Sequence, residues 1–242
     1  MKKINLILIV LSLLLTKQAQ SQNGLANAVT AIATAGVIAG AILSAEDMQE
    51  RAELKATEWI LAKHPEFTSF NLKTSDFNGK KTKDISATTV ISFKFQVFTP
   101  KMDPTLDGKK YVLFCFTSYG WVSDQGMNFD NVNWFLIDGE EWMKMMTAYT
   151  KVASEEKNDD KLKEVLTSGV IENKGISVKN KMVIPFFNLS GDAYLVTDYS
   201  TEMKFIYNEK SLCIFLKKTG DLIQIRKRTI IDTHLFLFPK EN

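Results

Sequence analysis

Histidine and cysteine are scarce in this chain, with two of each in 242 residues. His64, His234, Cys115 and Cys213 lie too far apart to form a metal-binding spacing. Also missing are a G-x-S-x-G elbow, a phosphate-cradling glycine loop, an H-E-x-x-H pair and a calcium loop. The sequence shows no internal repeat, low-complexity tract or heptad run. No catalytic residue, metal ligand or cofactor site is therefore expected, and a non-enzymatic role is the leading reading. A hydrolase with a dispersed site ranks last.

Excess charge of one sign is lacking as well. The chain has 30 Lys and Arg against 28 Asp and Glu. Lys2, Lys3 and Lys17 lie in an expected leader, so removing three basic residues leaves 27 against 28. A near-neutral chain has no global field favouring nucleic acid, and no nucleic-acid partner is expected. At 45% hydrophobic and 11% aromatic, it has enough apolar material to build a core.

The first 45 residues hold two different apolar segments. In the first, Lys2 and Lys3 precede an apolar run from Ile4 to Leu15, and Ala19-Gln20-Ser21 offers small residues for cleavage. This tripartite pattern predicts a signal peptide over 1–21 and a mature start at Gln22. No cysteine follows the cut, which disfavours a lipid anchor. An exported protein is expected, in the periplasm or outer membrane of a bacterium or outside the cell.

The second segment, Gly24–Ala45, has no charge and no proline. At 1.5 Å per residue it spans about 33 Å as a helix, just enough to cross a bilayer. Gly24, Ala28, Ile32, Gly36, Gly40 and Ser44 fall on one row at four-residue steps. Small residues there (Gly24, Ala28, Gly36, Gly40 and Ser44) permit close helix packing. Three readings stay open: a membrane-inserted or self-associating helix, a helix buried in the fold or docked on a partner, and a flexible linker. The segment resembles the glycine-zipper helices of envelope proteins, a likeness too short and generic to carry a function over. The partners expected are an envelope protein or a second copy of the chain, with membrane contact.

Met48, Ala52, Ala56, Trp59 and Ile60 then recur at helical spacing until His64-Pro65 stops the pattern. One long helix, or two collinear ones, is expected over about 25–63. The change of character at Ser44-Ala45-Glu46-Asp47 would mark a boundary between an apolar environment and water. From Phe67 the period becomes strand-like. Strands are expected over 67–72, 88–98, 110–118 and 133–137. A helix follows, capped by Asp138 and carrying the stripe Trp142, Met145, Met146, Tyr149 and Val152. A short helix is expected over 160–166 and a weak subdivision of the 64–242 domain near 169–175. Strands then follow at 176–187, 193–198, 203–208, 212–217, 222–227 and 233–238, as an antiparallel meander. The fold class is α+β: a long N-terminal helix, then antiparallel sheet or sheets with one or two helices on one face.

Remaining candidates are weaker. Cys115, flanked by Phe114 and Phe116, is expected to be buried and unreactive. A disulfide between Cys115 and Cys213 is open. The loop Tyr119–Phe129 interleaves aromatics with Gly, Asn and Asp, the composition of a recognition loop. Its candidate contacts are Tyr119, Trp121, Asp124, Asn128 and Phe129. The alternative is that Trp121 and Phe129 fold back over the sheet. A soluble ligand-binding protein using this loop is the second functional reading. A solvated face explains the acidic residues around Glu140-Glu141 and the basic ones at Lys217-Lys218 and 226–228.

Overall fold

The computed structural model describes residues 44–75, 89–118, 120–123, 126–172, 174–178, 182–184, 195–207 and 211–239. The described residues fall almost wholly in one compact unit, 43–123 with 127–242. The account below concerns that unit.

Helix α1 runs Ala45–Lys63. Its start is a capping box: Asp47 N–H donates to the Ser44 hydroxyl, and the Asp47 carboxylate accepts from Ser44 N–H. Ser44 itself is extended, with ψ 163°. A single helix running unbroken from 25 to 63 is therefore corrected, because α1 begins afresh at its own cap. The remainder of that expectation, including the apolar segment 24–43, lies outside the described residues. Met48, Ala52, Ala56 and Ile60 form the buried stripe. The two alanines leave no ridge, so the helix can lie close on the sheet beneath it.

That sheet has strands β1 (Phe70–Ser75), β2 (Thr89–Val97), β3 (Lys110–Thr117) and β4 (Val132–Ile137), antiparallel in the order β1-β2-β3-β4. β3 is central and buried from Tyr111 to Thr117. Side chains alternate across a strand, so its two faces feed two cores. Phe93, Phe95, Val97, Tyr111, Leu113 and Cys115 pack with α1. Val90, Val112, Phe114, Phe116 and Ile137 belong to the core on the other side. Full burial of each large apolar side chain contributes about 1.5–3 kcal/mol before ordering costs. The first strand starts later than expected, at Phe70. Phe67 instead packs its ring on Tyr111, with centroids 4.8 Å apart.

Asp138 caps helix α2 (Gly139–Ala153), its carboxylate accepting from Glu141 N–H at 2.7 Å. Trp142, Met145, Met146 and Tyr149 all face the second core. Asn158 caps α3 (Asp159–Ser168) in the same way. The stretch expected to be one strand over 176–187 contains two, β6 (Gly175–Val178) and β7 (Met182–Ile184). They form a three-stranded antiparallel sheet with β5 (Val170–Glu172), which lies where a break was expected. Core residues on both sides of 169–175, such as Leu166 and Ile176, join one cluster.

A four-stranded meander follows: β8 (Leu195–Asp198), β9 (Met203–Tyr207), β10 (Ser211–Leu216) and β11 (Leu222–Arg226). The strand expected at 233–238 is corrected, since those residues close helix α4 (Lys227–Leu237). Thr229, Ile230, Thr233 and His234 are its buried residues, a helical spacing that tertiary packing selects over β-branched propensity. The α+β class holds. α1 lies against one face of the first sheet, and α2 and α4 lie on the side of the other. Among the described residues, no helix is long and apolar enough to cross a membrane.

Candidate functional site

β4 ends the first sheet, and a groove of about 570 Å³ runs along it. One wall is the strand itself, Asn133, Trp134, Phe135 and Leu136. The other wall comes from two turns of the meander, Thr201-Glu202 after β8 and 216–219 after β10. A hydrogen bond beside the groove ties the two sheets together, Ser118 Oγ donating to Asp221 Oδ2 at 2.7 Å.

The register with β3 sets which way the strand's side chains lie. Trp134 is opposite Cys115 and Leu136 opposite Leu113, on the α1 side. Asn133 is opposite Phe116 and Phe135 opposite Phe114, on the side of the second core. Trp134 is half-buried and stacks on Trp59 of α1, with centroids 6.3 Å apart and planes 27° apart. Phe129 also stacks on Trp134, at 6.5 Å and 17°. Phe135 packs on Phe116 at 5.3 Å. The edge is therefore held rigid by aromatic packing from both faces.

Charge at the rim is arranged by the meander. Lys217 pairs with Asp198 at 2.7 Å and donates to the Ser200 carbonyl at 2.7 Å. This contact holds the Asp198 carboxyl below its ordinary range. Lys218 is exposed and has no ion pair among the described residues. Glu202 is the one carboxylate on the lining.

The residues of the expected recognition loop have separate fates. Trp121 is buried in the α1-side core, and its carbonyl accepts from Asn128 N–H, which closes the loop. Phe129 covers Trp134, so both aromatics fold back. The Asn128 side chain caps a short turn by accepting from Asp130 N–H at 3.0 Å. Tyr119 and Asp124 lie outside the described residues, as do Gly24, Ala28, Gly36 and Gly40; Ser44 is the α1 cap. Trp134 and Phe135 are the site residues that sequence reasoning passed over.

The titratable candidates are accounted for elsewhere. Cys115 is fully buried, and burial pushes its thiol far above the ordinary range, away from the reactive thiolate. His64 is bonded to Glu66 at 3.0 Å and stacked on Phe67. His234 is buried in the second core. Glu140 pairs with Lys144 at 3.0 Å, and Glu141 accepts from the Tyr199 hydroxyl at 2.7 Å. Among the described residues, no three His, Cys, Asp or Glu side chains converge as a metal site would require.

Comparison with family models, curated proteins and solved structures returned no match.

Proposed function

We propose that this chain is an exported, non-enzymatic binding protein of a bacterial envelope. In this reading the segment 24–45 embeds, self-associates or docks, and the α+β domain presents the β4 groove to a partner. The observation that carries the binding half is the groove itself, a concavity that combines a sheet edge, two aromatic side chains and a lysine-bearing rim. Concavities of several hundred Å³ are a usual form of recognition site, and this one mixes apolar and polar lining residues. The export half rests on the leader pattern and the uncharged second segment.

Fractionation of the host envelope with alkaline carbonate extraction tests the first reading, comparing the full chain with one lacking 24–45. Retention of the full chain in the membrane with release of the deletion is the expected result. Release of both transfers the role of 24–45 to the fold or to a protein interface. Recovery of the full chain from the cytoplasm overturns the export reading.

A further inference from the structure

We infer that the β4 groove binds an uncharged glycan, with Trp134 as the residue on which a sugar ring stacks. This inference rests on the binding reading above and names the class of ligand.

Charge narrows the occupant first. Asp198 neutralises Lys217 at 2.7 Å, and across the lining Lys218 is balanced by Glu202. A rim without net charge offers no field to draw in a polyanion or a polycation. Nucleic acids, acidic polymers and strongly charged peptides are thereby disfavoured.

The lining narrows it further. Asn133, Thr201, Glu202, Lys218 and Thr219 bring an amide, a carboxylate, an ammonium and two hydroxyls to one groove. None of these side chains is hydrogen-bonded or ion-paired to another described residue. Their neighbours are committed, Lys217 to Asp198 and Ser200, and Ser118 to Asp221. Interleaved with them are the rings of Trp134 and Phe135. A lipid or other wholly apolar chain would strip water from the polar groups and return no hydrogen bond. A wholly polar ligand would leave the rings unmatched. A sugar ring answers both, since its hydroxyls lie around its rim and its C–H bonds form apolar faces.

Trp134 also has the geometry for stacking. Its ring is near-parallel to those of Trp59 (27°) and Phe129 (17°), with centroids 6.3 and 6.5 Å away. Rings in full face contact would lie roughly 3.5–4 Å apart, so these three overlap only partly, like shingles. All three are only half-buried. α1, the turn before β4 and β4 itself each supply one ring, which makes a shelf of flat apolar surface beside the groove. Because Trp134 belongs to both, one chain can lie across shelf and groove. That favours an oligosaccharide over a single sugar.

The test uses the full chain and neutral hexasaccharides built of glucose, mannose, xylose or N-acetylglucosamine. The matching monosaccharides, hexagalacturonic acid and an uncharged pool of heptapeptides made from Val, Thr, Tyr and Phe serve as comparisons. Binding is read by calorimetry and by tryptophan fluorescence. At least one neutral hexasaccharide should bind, about tenfold or more tighter than its monosaccharide or the acidic chain. Trp134→Ala should weaken it by about tenfold or more, and Trp134→Phe, which keeps a ring, by less. Trp134 also packs in the α1-side core, so a second variant acts from the surface. The exposed pair Glu202→Ala and Thr219→Ala should weaken binding by about tenfold with an unchanged circular dichroism spectrum. Binding confined to the N-acetylglucosamine chain supports a cell-wall glycan as the source, and binding of the other chains supports a capsular or external one.

Binding by no neutral hexasaccharide overturns the proposal. So does binding that neither Trp134→Ala nor the surface pair alters, which would put the sugar elsewhere, and so does equal affinity for the acidic chain. Binding of the peptide pool alone overturns the glycan and keeps the groove as a site. Failure here is separable from failure of the envelope reading: membrane retention without glycan binding sinks only this inference, and glycan binding by a chain that is not exported sinks only the other.

Discussion

The indole N–H of Trp142 donates to Nδ1 of His234 across 3.2 Å, joining the first turn of α2 to the C-terminal half of α4. On the other side of the ring, Nε2 lies 2.9 Å from the Leu166 carbonyl at the end of α3. An indole nitrogen can only donate and a carbonyl can only accept, so the imidazole is neutral with its proton on Nε2. One side chain thereby ties three helices together inside the second core.

Stability should consequently fall in mild acid. Burial lowers the His234 pKa from 6.5 to about 4. Between those values the unfolded chain binds a proton that the folded chain refuses. Stability from this group is complete above the unfolded pKa and is lost as pH falls through the window. At roughly 1.4 kcal/mol per pKa unit, the full loss is about 3 kcal/mol. Urea unfolding at pH 7.0, 5.5 and 4.5 measures it. The variant His234→Gln, which does not titrate, should show a flatter dependence. A slope identical to the parent's would assign the acid sensitivity to other groups.

Cys115 and Cys213 are not joined; Cys115 belongs to the α1-side core and Cys213 to the meander. Reductant should therefore leave the Tm unchanged, even under the export reading, in which the chain would meet oxidising conditions. Both thiols should react slowly with a thiol reagent in the folded protein and promptly in denaturant. A lower Tm in reductant would require a disulfide.

Removing the α1 cap should have a limited, local cost. Ser44→Ala deletes the hydroxyl that accepts from Asp47 N–H. Such a loss costs about 1 kcal/mol, read from the shift in the urea midpoint. A much larger loss would mean that Ser44 also supports packing beyond the capping box.

Much of this fold was legible because single elements carried strong periodic signals. The alternation of Ile91, Phe93, Phe95 and Val97 marked β2, and Trp142, Met145, Met146 and Tyr149 marked α2. Asp138 marked its start by residue type and position. The misses share a different cause. The end of α4, from Thr233, read as a strand of apolar residues, and its helical state depends on contacts with β3 and β11 that no local window contains. The groove was illegible for a related reason. The uncharged stretch from Val132 to Ile137 looks like an interior strand, and its place at an edge depends on β3 pairing with β2 on its other side. The aromatic loop drew attention through composition alone, whereas Trp121 serves the core and the exposed opportunity passes to Trp134.

The turn from α3 into β5 contains a sharper test of packing. A Cβ placed on Gly169 would lie 2.3 Å from Cγ2 of Ile176 and 2.4 Å from the Val165 carbonyl oxygen. Ile176 is fully buried and cannot retreat into solvent, and the carbonyl already accepts from Gly169 N–H at 2.8 Å. The Gly169 backbone, with φ −80°, suits any residue, so the penalty is steric rather than conformational. Gly169→Ala should cost about 2–3 kcal/mol, in the range of an overpacked core. Gly220→Ala provides the contrast. That glycine has φ +75° and nothing within 4 Å of the added atom, so its penalty is the left-handed backbone, about 1 kcal/mol. Urea midpoints of the two variants should therefore rank Gly169→Ala below Gly220→Ala. The reverse order would show that α3 and β6 can separate by the ångström needed, and that the second core is less tightly closed at this junction than its burial implies.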